Sequence, residues 1–227
     1  MRIFKTYVGG LDEKLDGGVP RGHVVLISGS PGTMKSSLAY SIIHSNARHG
    51  NVRGIYISLE QSRRSLAFQM ERLGLCGQEE NVAITDLARI RKAAPSTTEQ
   101  PWIEVIQRHV EFLSKSNKYS MLVLDSLPVL DVLSRVESRR NQLFYLFEWL
   151  RDLEMTSFII SEIMPDSREL HDEEFLADGI VYLSLEKVGA ADIQRRIRIV
   201  KMRGMAHNTS VFNLEFRNQS FLITPPL

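Results

Sequence analysis

Eight consecutive residues, Gly29-Ser30-Pro31-Gly32-Thr33-Met34-Lys35-Ser36, combine the side chains and the backbone freedom needed to hold a polyphosphate. Such a loop turns successive backbone N–H groups inward at the β- and γ-phosphates and sets a helix N-terminus behind them. It also supplies an ammonium for the phosphate oxygens and a hydroxyl for magnesium. Gly29 and Gly32 permit the tight path, Lys35 supplies the charge and Ser36 the metal-binding hydroxyl, while Ser30, Pro31, Thr33, Met34 and Ser37 complete the expected cradle. Met34 departs from the pattern, because a loop of this kind has glycine before its lysine. Its N–H can still reach a phosphate, but its Cβ predicts crowding of the nucleotide or a strained backbone angle, and with it slow turnover. The plainer alternative is a Gly/Ser/Pro turn between a strand and a helix that contains Lys-Ser.

Splitting a bound triphosphate also requires a carboxylate beside the metal and a base for the attacking water. Both belong at the C-terminal ends of buried strands, where the crevice of an open α/β sheet lies. Asp125 closes the apolar run Met121-Leu122-Val123-Leu124 and precedes Ser126, the form of a Walker B strand to match the Walker A loop. It is expected to share the metal with Ser36. Glu60 follows Ile55-Tyr56-Ile57-Ser58-Leu59 and is thereby aimed at the same crevice as the expected general base. Gln61 beside it can orient a water but cannot take a proton. Each carboxylate has a plainer reading, Asp125 as a turn or helix-capping residue and Glu60 as a surface group capping a helix that begins near Ser62.

The elements that must position these groups show in the apolar pattern. His23–Ser28, Gly54–Leu59, Met121–Asp125 and Ser157–Ser161 are short runs without polar alternation, as strands buried on both faces require, and they predict the centre of a parallel sheet. Ile103, Ile106, Val110 and Leu113 recur at helical spacing, as do Leu143, Phe144, Phe147 and Leu150, so helices are expected to cover the sheet, with Trp102 and Trp149 packing against it. After about Asp178 the pattern becomes Gly179–Leu185, Gln194–Met202 and Val211–Phe216, separated by Gly and Asn, which predicts an antiparallel extension. Arg89–Gln100 and Met164–Glu174 read as loops rather than linkers, so residues 1–227 are expected to form one α/β domain.

Composition narrows the function classes. The 28 Lys+Arg against 27 Asp+Glu give no global field to attract nucleic acid or an anionic membrane. The one cysteine, Cys76, excludes an internal disulfide and a thiolate-rich metal site. His44, His49, His109, His171 and His207 share no metal-ligand spacing and read as surface or capping residues. There is no signal-like N-terminal apolar core and no apolar run near the ~18 residues of a spanning helix, so a cytoplasmic location without a membrane partner is expected.

Together these segments resemble the single-domain KaiC-like branch of the RecA superfamily. Val8-Gly9-Gly10-Leu11-Asp12-Glu13-Lys14-Leu15 and Gly17-Gly18-Val19-Pro20-Arg21-Gly22 lead into the phosphate loop as they do in that family. The resemblance continues through Ser58-Leu59-Glu60-Gln61, Leu124-Asp125-Ser126 and Glu173-Glu174-Phe175-Leu176-Ala177-Asp178-Gly179. It ends in Lys201-Met202-Arg203-Gly204-Met205-Ala206-His207. It implies a RecA-like P-loop NTPase fold with a mainly parallel central sheet flanked by helices, the use of ATP and Mg2+, and a homo-oligomeric ring, commonly a hexamer, with ATP at each junction. It further implies that Lys201 and Arg203 reach the neighbouring subunit's nucleotide as catalytic cations supplied in trans. From the residues alone they are alternating exposed charges on an edge strand, within a basic stretch that includes Arg196 and Arg198. Gln61 replaces the second glutamate of the family pair. Since the chain has one such domain where the circadian clock protein carries two, neither a clock role nor autophosphorylation is implied.

The leading expectation is a magnesium-dependent ATPase that drives or switches a ring-like assembly in a regulatory or signalling role, with its protein partner unspecified. The first alternative, motivated by Met34 and Gln61, is an ATP-binding adaptor with little turnover. The second is a recombination or repair accessory protein that binds DNA, against which stand the balanced charge and the lack of an aromatic-plus-basic groove. Arg89, Arg91 and Lys92 would be its first candidates. Adenine contacts, usually generic apolar and backbone ones, are not specified by the sequence.

Overall fold

The computed structural model describes residues 3–77, 80–87, 102–134, 139–162 and 172–226. A short pair, β1 (Ile3–Phe4) and β2 (Val19–Pro20), flanks a 3-10 turn at Asp12–Leu15. The main sheet contains β3 (Val24–Gly29), β4 (Gly54–Ser58), β5 (Val82–Asp86), β6 (Met121–Asp125), β7 (Thr156–Ser161), β8 (Gly179–Val188), β9 (Asp192–Met202), β10 (Val211–Arg217) and β11 (Ser220–Thr224). Helices α1 (Lys35–Gly50), α2 (Arg63–Arg72), α3 (Trp102–Ser116), α4 (Leu127–Ser134), α5 (Arg139–Asp152) and α6 (Asp172–Leu176) alternate with the strands. The order across the nine-stranded sheet is β11-β10-β9-β8-β3-β7-β6-β4-β5.

The four strands read from the sequence lie side by side as β3-β7-β6-β4, all parallel. Their lack of alternation has a direct cause, since successive side chains enter two different cores. Val25, Ile27, Tyr56, Val123, Phe158 and Ile160 pack with α1 residues Leu38, Ile42 and Ile43 on one face. Val24, Leu26, Ile55, Ile57, Leu122, Leu124 and Ile159 meet Trp102, Ile106, Val110, Leu143, Phe147 and Leu150 on the other. Burying one such side chain is worth about 1.5–3 kcal/mol, so both helix layers are held chiefly by apolar area.

Several expectations are corrected. β8 is parallel to β3, and only β9, β10 and β11 make the antiparallel extension. β9 lies between β8 and β10, so the basic stretch is not on an edge, and Arg196 is buried. β5 and β11 were not anticipated. β11 follows a two-residue turn in which Asn218 (φ 49°) and Gln219 (φ 62°) are both left-handed, a hairpin geometry usually signalled by Asn-Gly. Phe144 is exposed, and Leu146 takes the buried place on α5. Part of the expected Met164–Glu174 loop is helical, because Asp172–Leu176 form α6, where buried Glu173 takes both guanidinium nitrogens of Arg139 at 2.9 and 3.0 Å. His44 is buried, its Nε2 3.1 Å from the Cys76 carbonyl. The expected loop Arg89–Gln100, with Arg89, Arg91 and Lys92, lies outside the described residues, as does His171.

Asp178 fastens the sheet where β8 begins. Its carboxylate accepts from the Val24 amide at 3.0 Å, from Arg151 Nε at 3.3 Å and from Arg203 at 2.9 Å. Its own amide donates to the Val24 carbonyl at 2.8 Å. Burial pushes this carboxyl up, but the Val24 amide and the Arg151 and Arg203 guanidinium groups outweigh burial and hold it below the usual carboxylate range. A depressed folded-state value means stability that is present above the unfolded carboxylate range near pH ~4 and is lost as pH falls through the lower folded value. Replacing Asp178→Asn should therefore destabilise the protein at neutral pH by about 3 kcal/mol and flatten the acid limb of its stability profile. Urea unfolding between acidic and neutral pH reads both effects, and an unchanged acid limb would refute the assignment.

Candidate functional site

The parallel register lines up the C-terminal ends of four neighbouring strands. Ser28 pairs with Ser161 and Ser58 with Asp125, so the phosphate loop after β3, Glu162 after β7, Asp125 on β6 and Glu60 after β4 stand side by side. Neighbouring strands are about 4.8 Å apart, which places all four within the span of a triphosphate and its cation. They border a cleft of about 280 Å³ lined by Pro31, Gly32, Met34, Lys35, Ser36, Ser37, Glu60, Gln69, Asp125, Ser126, Ile160 and Glu162. Gly29, Ser30 and Thr33 shape the loop from behind.

Gly29 has φ 147°, and a Cβ there would stand 2.1 Å from the Leu183 carbonyl oxygen, so only glycine lets the loop leave β3 against β8. Thr33 is buried and donates its hydroxyl to the Ser30 carbonyl at 2.7 Å. Met34 is left-handed, with φ 72° and ψ 30°, and caps the start of α1 without a side-chain hydrogen bond. The strained angle expected of a residue in place of glycine is thus present, at a cost of about 1–2 kcal/mol. Its side chain packs against the core on the α1 face.

Lys35 begins α1 and is 7% exposed, with Nζ donating to the carbonyls of Gly29 at 2.7 Å and Ser30 at 3.0 Å. Burial pulls its ammonium below the ordinary lysine value, against the opposing pull of Glu162, Asp125 and Glu60. Asp125, 6% exposed, accepts a 2.5 Å hydrogen bond from the Tyr56 hydroxyl and another from Ser36. Burial pushes its carboxyl above the ordinary value, although Tyr56, Ser36 and Lys35 act in the opposite direction. Its hydrogen-bond donors are neutral and Lys35 is engaged with two carbonyls, so a hard divalent cation fits the exposed side of the Ser36–Asp125 pair. Glu60 is exposed at the cleft and accepts from the Ser126 hydroxyl. The cap of α2 is Ser62, whose Oγ accepts from the Ser65 amide at 3.2 Å, so Glu60 does not fill that role.

Lys201 and Arg203 do not line this cleft. Lys201 Nζ donates to the carbonyls of Glu174 at 3.0 Å and Phe175 at 3.3 Å, and Arg203 bridges Asp178 and the Phe175 carbonyl. Both belong to the end of the sheet where α6 packs.

Sequence reasoning missed Glu162, Ser126, Gln69, Tyr56 and Arg195. Glu162 was within reach, since it follows a strand already recognised, just as Glu60 follows another. Tyr56, inside an apolar strand run, carries no sequence signal beyond packing. Arg195 Nε contacts the Gly32 carbonyl at 3.4 Å, joining the loop to a second cleft of about 760 Å³ between β9, β10 and the end of β11. No local signal marks that contact, because the two residues are 163 positions apart.

Among the described residues no helix is long and apolar enough to cross a membrane, and no group of three or more His, Cys, Asp or Glu residues could hold a metal ion. A cation would be shared between protein and phosphate oxygens.

A phosphate loop after the central strand of a mainly parallel sheet, with carboxylates at the adjoining strand ends, defines a P-loop ATPase of the RecA type. Within that class the chain belongs to the KaiC ATPase family, whose model matches residues 4–227. It is 26% identical to a UPF0273 protein of Thermotoga maritima, over 97% of this chain and 95% of that one. It is 28% identical to the circadian clock protein KaiC3 of Synechocystis sp., matching 98% of this chain but 45% of that protein. The crystal structure of a KaiC-like protein from Pyrococcus horikoshii OT3 superimposes with a TM-score of 0.82 at 25% identity, covering 99% of both chains.

The raised Asp125 carboxyl has a consequence for stability. Because its folded-state value lies above the unfolded one, ionising it costs the folded state stability once pH rises past about 4. At neutral pH, without ligand, Asp125→Asn should melt above the unmodified protein while losing the added stabilisation by magnesium and a non-hydrolysable ATP analogue. Thermal unfolding with and without that pair checks both halves, and a lower ligand-free midpoint would contradict the account of Asp125.

Proposed function

We propose that residues 1–227 act as one magnesium-dependent ATPase domain whose turnover switches a ring-like homo-oligomer in a regulatory role. The observation that carries the reading is the convergence of Lys35, the Ser36–Asp125 pair and Glu60 on one cleft. The amides of residues 29–36 and the N-terminus of α1 receive the phosphates, and Lys35 moves its donors from the Gly29 and Ser30 carbonyls to phosphate oxygens. Ser36 and Asp125 would hold magnesium, which would supply charge neutralisation for the phosphate oxygens. Glu60, oriented by Ser126, takes a proton from the attacking water as its oxygen bonds to the γ-phosphorus and the bond to the bridging oxygen breaks, giving ADP and phosphate. Arg195, which contacts the Gly32 carbonyl and borders the second cleft, suits the nucleoside end. Lys201 and Arg203, braced by α6 and Asp178, serve the neighbouring subunit's γ-phosphate.

The adaptor reading with little turnover is favoured by one observation, the left-handed angle of Met34. Phosphate release decides between the two. Glu60→Gln should bind nucleotide normally and hydrolyse it about 10²–10⁴-fold more slowly, whereas equal rates in both proteins would leave only the binding role. Lys35→Ala should lose nucleotide binding.

The trans role has its own test. Lys35→Ala subunits lack a working nucleotide site but keep Arg203, and Arg203→Ala subunits keep the site but lack the cation. Mixing the two inactive proteins should restore part of the phosphate release, and no recovery from a mixture shown to co-assemble would exclude a cation supplied in trans.

A further inference from the structure

Tyr56 lies mid-strand in β4 among apolar neighbours, completely enclosed, at a depth where a phenolic hydroxyl must have a partner to be tolerated. Its partner is Oδ2 of Asp125 on the adjacent strand, at 2.5 Å, and the hydroxyl of Ser36 bonds to both groups. A phenylalanine would satisfy the packing of this position equally well, since the ring sits against Tyr40 with centroids 5.6 Å apart and needs no polar end there. The hydroxyl is therefore explained by the carboxylate, and not the reverse.

We propose that Tyr56 is a positioning residue for the divalent cation. By donating to Oδ2 it fixes the rotation of the Asp125 carboxylate and leaves Oδ1 as the oxygen available to a cation beside Ser36. This rests on the reading of Ser36 and Asp125 as the magnesium pair. The physical reasoning is general: a carboxylate that accepts a strong hydrogen bond on one oxygen is a better-ordered metal ligand through the other, and outer partners of this kind typically shift metal affinity by about 10–100-fold. Tyr56 is fully buried and does not line the cleft, so its loss should change the cation dependence and leave the phosphate loop as it is.

The test compares the unmodified protein with Tyr56→Phe, titrating magnesium at fixed concentration of a non-hydrolysable ATP analogue and following binding by calorimetry at neutral pH. Tyr56→Phe should require about tenfold more magnesium for half-saturation. Binding of the analogue without magnesium should be unchanged, whereas a general loosening of the core would weaken it as well. If Tyr56→Phe is too unstable to titrate, uniform fluorotyrosine labelling, which makes the phenol a stronger donor, should move the magnesium midpoint the other way. Failure of the unmodified protein to bind the magnesium–nucleotide pair would overturn the ATPase reading itself. Normal binding there, with an identical magnesium midpoint in Tyr56→Phe or no shift on labelling, would overturn the role of Tyr56 alone.

Discussion

Charge held out of water at the ends of parallel strands is the constraint around which the rest of this structure is arranged. Lys35 and Asp125 are each more than nine-tenths buried, in surroundings where a bare charge would cost several kcal/mol. The protein meets that cost with dipoles: two carbonyls for the ammonium, a phenol and a serine hydroxyl for the carboxylate. Attraction between the ammonium and the carboxylates around it offsets only part of the cost of burial. Such a site interacts far more strongly with a polyanion and a cation together than the same groups would in water, because little solvent remains to screen them.

The topology makes this arrangement possible. A parallel sheet covered on both faces leaves no room for charged groups along β3, β4, β6 and β7, so these are confined to the strand ends. The in-register pairing of those strands turns the ends into a row, and the crossover from β3 through α1 supplies a helix N-terminus at the same edge. At the opposite end of β3, Asp178 ties the Val24 amide to Arg203, so the strand that carries the phosphate loop and the strand that carries the two outlying cations share one carboxylate. That link is buried at its centre.

The parts legible in the sequence were those set by local chemistry. Buried strands without alternation, the glycine–lysine–serine loop, and carboxylates that end apolar runs each follow from neighbouring residues, and their placement in the structure agrees with that pattern. What escaped was set by contacts between distant segments. Arg195 reaches Gly32 only because β8 and β9 fold back beside β3, and the parallel pairing of β8 depends on the same fold. β11 depends on two left-handed residues that carry no glycine signal. Tyr56 was hidden differently: an aromatic residue in a strand is expected to be packing, and only the partner of its hydroxyl reveals a second use.

Met34 shows how the loop tolerates a local violation. A left-handed methionine is unfavourable by about 1–2 kcal/mol, and it persists only where its surroundings fix the chain path. Here the path is fixed three times over: by Gly29 pressed against Leu183, by the Thr33–Ser30 hydrogen bond, and by Lys35 holding the carbonyls of Gly29 and Ser30. The last of these is the restraint that phosphate would take over. In the proposed site a nucleotide would therefore exchange an internal restraint on a strained loop for an external one. Unlike glycine, Met34 also packs its side chain against the core on the α1 face, a further restraint on the same path.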